Sequence, residues 1–168
     1  MRLENLGLIG NCQFSALVSR TVEVVWCCLP RFDSEPVFST LLDEQNGGRF
    51  TVGAPDGAEG TQRYLDNTNV LETTFRTPSG SFRVIDFAPR LVQYERITCP
   101  TQLYRIVEPI EGTPQVRVLC EPRLGWSKAA PLGLPGSNHI RHAAFSALGR
   151  YPLNQARRPQ PPSHAARQ

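Results

Sequence analysis

Apolar side chains recur along most of this chain at every second position, the spacing of half-buried strands. Residues 13–20 and 22–29 predict an antiparallel pair joined at Thr21-Val22, the second carrying Val-Glu-Val-Val-Trp-Cys-Cys-Leu. Residues 69–76 and 81–87 predict a hairpin across Thr77-Pro-Ser-Gly80, where Pro presets one turn dihedral and Gly accepts a positive φ. A second hairpin is predicted between 102–109 and 115–121, turned at Glu111-Gly-Thr-Pro114, with Val116, Val118 and Cys120 on one face. One stretch departs from this period. Phe38, Leu41 and Leu42 stand at i, i+3 and i+4 behind Asp33-Ser34 and Pro36, which predicts one short helix stopped at Asn46-Gly47-Gly48. The pattern is that of an all-β protein, an antiparallel β-sandwich with one short helix.

Charge divides the chain unevenly. Residues 1–121 hold all 15 acids and 11 of the 18 bases, a net of −4, whereas 122–168 hold seven bases and no acid. The net charge of +3 is thus an average of two unlike pieces, and a basic nucleic-acid-binding domain is a poor reading. Residues 144–168 contain four Arg, four Pro and five Ala without a sustained period, so a disordered tail is expected beyond a domain spanning 1–143. An out-of-frame reading of GC-rich coding yields the same composition. No apolar stretch approaches the roughly 20 residues of a membrane span, and charges interrupt the N-terminal run, so a cytoplasmic protein is expected. The five cysteines form no C-x-x-C pair, and His139 and His142 have no acidic or thiol neighbour, so neither a metal nor another cofactor is expected.

No catalytic motif of known local spacing occurs. The densest segment chemically is Trp26-Cys-Cys-Leu-Pro-Arg-Phe-Asp-Ser34, where a strand ends at Pro30 and presents Arg31, Phe32 and Asp33 on a loop. Arg and Asp bind sugar hydroxyls and an aromatic face stacks on a pyranose. The competing role is structural: a local Arg31–Asp33 salt bridge, Asp33 as helix cap, and Phe32 in the core.

Several strings carry a resemblance. Leu6-Gly-Leu-Ile-Gly-Asn11, Trp26 to Ser34, Arg63-Tyr64, Thr68-Asn-Val-Leu-Glu-Thr73, Asp86-Phe-Ala-Pro89 and Cys120-Glu-Pro-Arg123 resemble the N-terminal trehalase-like domain of bacterial family 15 glycoside hydrolases. That family includes glucoamylases, glucodextranases and trehalases, and the likeness covers some 140 of the 168 residues. The resemblance implies part of a β-supersandwich, incomplete here, which in the family precedes an (α/α)6 barrel. It also implies an inverting hydrolysis by two carboxylates about 6.5–9.5 Å apart. Both carboxylates belong to the barrel, so no residue of this sequence inherits a catalytic role. The implied function is a non-catalytic domain of a hydrolase acting on α-glucosides such as trehalose or maltodextrin, with the barrel as partner and no nucleic acid or membrane. Arg31, Phe32 and Asp33 become the candidate sugar-binding residues. The alternative is a free-standing carbohydrate-binding or protein-interaction sandwich, for which Tyr64, Tyr94 and Tyr104 are the candidate exposed aromatics. The resemblance also places Gly where this chain has Val22, so the turn before the Glu23 strand is expected to strain a β-branched residue.

Overall fold

The structure is a computed structural model that describes residues 2–142; the expected tail, 144–168, lies outside them. Two antiparallel sheets face each other. The first joins β1 (Gly7–Gly10), β2 (Ser15–Val18), β3 (Glu23–Cys28), β5 (Arg49–Gly53) and β12 (Arg117–Glu121) in that order, with β4 (Pro36–Phe38) also paired to β3. The second runs β11 (Tyr104–Gly112), β8 (Gly80–Phe87), β7 (Leu71–Thr77), β6 (Thr61–Tyr64). Two small hairpins stand apart, β9 (Leu91–Gln93) with β10 (Arg96–Thr98) and β13 (Gly133–Pro135) with β14 (Ile140–His142). Ile9, Ala16, Val18, Val24 and Cys27 of the first sheet meet Leu71, Phe75, Phe82 and Val84 of the second in one core. The Phe75 and Phe82 rings stack at 4.8 Å. Alternation on β2, β7 and β8 sends these residues inward, as the period-two pattern predicts, whereas an irregularity in the β2–β3 register lets both Val24 and Cys27 of β3 face the core.

The two local strand pairs form as read from sequence. β2 pairs with β3, and β7 with β8 through the Thr77↔Gly80 closing pair. The second expected hairpin does not form. β11 pairs with β8 and β12 with β5, so the two strands lie in opposite sheets and Glu111 to Pro114 becomes a crossover between them. The expected helix is absent too. Pro36, Val37 and Phe38 form a fully buried strand on β3, and the turns after it bond to sheet backbone, Leu41 N donating to the Val25 carbonyl at 3.0 Å. Gly48 is not a helix stop. It is a close-approach position where a Cβ would lie 2.3 Å from the Val37 carbonyl and 2.8 Å from that of Glu121.

Val22 adopts φ 57°. The turn is a three-residue loop: Ser19 N donates to the Glu23 carbonyl and Val22 N to that of Ser19, both at 2.9 Å, and the left-handed position is the third loop residue. Its side chain is fully buried in the core. Its carbonyl accepts from Val52 N at 3.1 Å and from Arg105 Nη2 at 2.8 Å. Arg105, on β11 of the opposite sheet, also donates to both carboxylate oxygens of Asp86 (2.8 and 3.2 Å) and to the Phe50 carbonyl at 2.7 Å. Its guanidinium lies 4.7 Å above the Phe50 ring centroid. The two charged side chains are 3% and 0% exposed, so this ion pair lies inside the sandwich.

Arg105→Met should therefore lower the free energy of unfolding by about 3–5 kcal/mol in a urea titration, because it strands the Asp86 carboxylate in the interior. Asp86→Leu added to it should recover only part of the loss, since the Phe50 carbonyl still lacks Arg105 as a donor. For Val22→Gly two effects oppose. Relief of strain is worth about 1–2 kcal/mol, and loss of a buried valine about 1.5–3 kcal/mol. A net destabilisation of about 1 kcal/mol is expected, and a gain in stability would show that strain dominates.

The thiols give a pH dependence. Burial pushes the Cys120 thiol up to about 11 from 9.0, and Cys27 is raised further by burial and the neighbouring Cys28. A raised folded-state value means that the unfolded chain loses the proton first. The stabilising contribution is whole below pH 9, and the melting temperature should fall as the pH rises from 9 through 11. The same melts on Cys120→Ala should show a shallower decline.

Candidate functional site

One end of the sandwich gathers the loop expected to carry the site. β3 ends at Cys28, the Leu29–Pro30 peptide is cis, and the chain turns through Arg31 to Ser34 before entering β4. Arg31 holds Asp33 through two parallel bonds, Nε to Oδ1 at 3.0 Å and Nη2 to Oδ2 at 3.1 Å. The guanidinium hydrogen bond keeps the Asp33 carboxyl below its ordinary value. The Arg31 amide donates to Ser34 Oγ at 3.2 Å and the Phe32 amide to the Gln13 carbonyl at 3.1 Å, so the loop backbone is fixed to the β1–β2 turn. The expected structural role survives only in its salt bridge. Asp33 caps no helix, and the Phe32 ring is 65% exposed instead of filling the core. It borders a depression of about 320 Å³ together with Leu8, Cys12 and Asn69.

The other strings singled out in the sequence hold the frame. Tyr64 Oη accepts from Leu8 N at 2.7 Å and donates to its carbonyl at 2.9 Å, tying β6 to β1. Asn69 Nδ2 donates to the Gly10 carbonyl at 2.9 Å. Glu72, 5% exposed at its side chain, bridges Arg63 at 2.7 Å and Arg83 at 3.2 Å, and Arg83 reaches Glu108 at 2.7 Å. Asn11 uses its whole amide: Nδ2 donates to the Pro89 and Pro100 carbonyls at 3.0 and 2.8 Å, and Oδ1 accepts from Gln13 and Phe14. This brings the segment leaving β8 to the β1–β2 turn, where Arg90 Nη1 lies 3.8 Å from Cys12 Sγ. Phe32 thus lines the same depression as Cys12, whose Sγ Arg90 approaches. Arg90 was not singled out, because nothing local in the sequence signals a contact across 78 positions.

Of the expected aromatics, Tyr64 is bonded into the frame and Tyr104 stacks on Phe87 at 5.2 Å, leaving Tyr94 as the most exposed. Trp126, which the strand pattern does not touch, leans on Trp26 at 6.3 Å with most of its ring in solvent. A second depression, about 290 Å³, has Glu4 as its sole carboxylate among Arg20, Arg63 and Tyr64. Among the described residues no three His, Cys, Asp or Glu side chains are grouped to hold a metal ion. No helix among them is long and apolar enough to cross a membrane.

Fold and site together define an all-β domain whose polar and aromatic loop is displayed at one end on a rigid base. The chain belongs to the trehalase-like N-terminal family, whose profile matches residues 1–137. It is 31% identical over 134 residues to the trehalase of Thermoplasma volcanium, a match covering 78% of this chain and 21% of that protein. Trehalase 1 of Sulfolobus acidocaldarius is 42% identical over 88 residues, 52% of this chain and 15% of that protein. The Mycolicibacterium smegmatis trehalase is 29% identical over 143 residues, 76% and 21% of the respective chains. The matched region thus spans about a fifth of those relatives or less. No solved structure gives a significant match.

Because the loop side chains are exposed and paired only with one another, Arg31→Ala, Phe32→Ala and Asp33→Ala should each change stability by less than about 1 kcal/mol in chemical unfolding. A larger loss would return the loop to a structural role.

Proposed function

We propose that this chain is the N-terminal, non-catalytic domain of a glycoside hydrolase acting on α-glucosides such as trehalose or maltodextrin. In this reading it supports a catalytic domain lying beyond the matched region, the (α/α)6 barrel implied by the family 15 resemblance, and Arg31, Phe32 and Asp33 reach toward the sugar. The observation that carries it is the match to proteins named trehalase over four fifths of this chain but only a fifth of theirs. The site geometry supports a binding role over a catalytic one. Acetal cleavage by this route needs two carboxylates flanking one bond. The Phe32 depression is lined by none and the second by one. A planar guanidinium already held by a carboxylate, beside a free aromatic face, suits the hydroxyls and the ring of a sugar.

Two measurements test this. The purified chain should show no turnover of trehalose or maltose. Residues 1–137 should also be able to replace the matched region of the M. smegmatis trehalase, giving a chimera that hydrolyses trehalose. In that chimera Arg31→Ala or Asp33→Ala should lower kcat/KM by about 10-fold, the value of one charged hydrogen bond. Unchanged kinetics for both variants would remove the loop from the sugar site.

A further inference from the structure

The segment joining β8 to β11 carries one of the exposed stretches of the described domain. It leaves the sheet at the stacked Phe87–Tyr104 pair, where β8 ends and β11 begins, and projects the β9–β10 hairpin. All eight residues from Leu91 to Thr98 are exposed, and four of them are large and apolar: Leu91, Val92, Tyr94 and Ile97. Tyr94 is 88% and Val92 73% exposed. A surface of this kind, rimmed by Arg90, Glu95 and Arg96, is unfavourable in water unless another surface covers it.

The hairpin is not a loose loop. Its strands pair Gln93↔Arg96, Val92↔Ile97 and Leu91↔Thr98. Its turn sets Tyr94 and Glu95 at φ 50° and 61°, a primed two-residue turn built without glycine. Its base is clamped, since the buried Asn11 amide binds the Pro89 and Pro100 carbonyls and Gln13 Nε2 donates to Thr101 Oγ1 at 3.3 Å. A preorganised apolar arm loses little entropy on docking.

We infer that the β9–β10 hairpin is a docking arm for the rest of a trehalase-type chain, its Leu91, Val92, Tyr94 and Ile97 side chains seating against that region at the end of the sandwich that carries Phe32. This rests on the reading above, that the chain is the front domain of a longer hydrolase. The occupant follows from length: four fifths of the M. smegmatis and T. volcanium trehalases lie outside the matched region, and the arm is an apolar surface of the described domain that no other part of it covers. The Asn11 clamp places it beside the loop proposed to face sugar, so docking there would also fix that loop over the neighbouring domain.

The test uses the chimera and the full 168-residue chain in parallel. Val92→Asp/Ile97→Asp should leave the thermal midpoint of the isolated chain within a few degrees, since both side chains are exposed there. In the chimera it should lower the thermal midpoint and reduce trehalose hydrolysis at least 10-fold. Trypsin should cut after Arg90 and Arg96 in the isolated chain and be slowed there at least 10-fold in the chimera, a readout independent of activity. Equal cleavage in both proteins, or a double variant that leaves the chimera's midpoint and kinetics unchanged, overturns the docking arm. If the Arg31→Ala effect persists in that case, the domain reading stands without it. Light scattering that finds a stable dimer of the isolated chain, abolished by the double variant, would also overturn it, by assigning the arm to self-association.

Discussion

The sandwich depends on one buried cation. Arg105 rises from β11, an edge strand of one sheet, and spends four hydrogen bonds inside: two on Asp86 of β8 and one each on the Val22 and Phe50 carbonyls of the facing sheet. Burying a charge costs several kcal/mol, and the pair offsets it only because both Asp86 oxygens take a guanidinium hydrogen bond and Arg105 finds two further carbonyl acceptors. The geometry selects a register. A slip of β11 by one residue would turn Arg105 outward and leave Asp86, which is fully buried, with an unpaired charge. The left-handed Val22 belongs to the same constraint, since that conformation seats its side chain in the core while its carbonyl receives Arg105.

That constraint also explains the division of the surface. With Arg105 and Asp86 turned inward, the alternating residues of β7, β8 and β11 face out, and there the charges form a ladder, Arg63–Glu72–Arg83–Glu108, across four strands. Toward the end where β8 meets β11 the same face turns apolar, with Phe87 on Tyr104, and the β9–β10 hairpin extends from it. The polar ladder is content in water and the apolar end is not. The Arg31–Asp33 loop is anchored at that apolar end, through Gln13 and Asn11.

What was legible in the sequence was whatever depends on neighbours. The β7–β8 hairpin announces itself because Pro78 and Gly80 encode its turn and both flanks alternate. The β2–β3 pair does the same, although its turn proved one residue longer than read. The β11–β12 hairpin looked equally good, with turn residues between two alternating runs. It failed because pairing is decided by what each strand must bury: Arg105 needs Asp86 on β8, while Val116 and Cys120 pack into the core from the other sheet. The false helix has a similar origin. Phe38, Leu41 and Leu42 match a helical stripe by spacing, but the three residues of β4 are buried together against β3 and Leu42 is exposed, which no amphipathic helix facing the core would allow. For the site, the loop position and the Arg31–Asp33 pair were readable. The exposure of Phe32, the Asn11 clamp and the Arg90–Cys12 contact were not, since each depends on segments brought together by the fold.

The residues that carry the family resemblance divide by what they touch. Asn11, Tyr64, Asn69, Glu72 and Asp86 are committed to internal bonds, which makes them the means by which two sheets and three loops keep one geometry. Arg31, Phe32 and Asp33 make no such commitment beyond their own pair and one backbone anchor. Orientation precision in an exposed loop comes from the rigidity of its base, because a displacement of about 1 Å is enough to weaken a directional contact. Asn11 supplies that base by tying the β1–β2 turn to both ends of the β9–β10 segment with four hydrogen bonds of one buried side chain, so a change there would move the loop and the hairpin together.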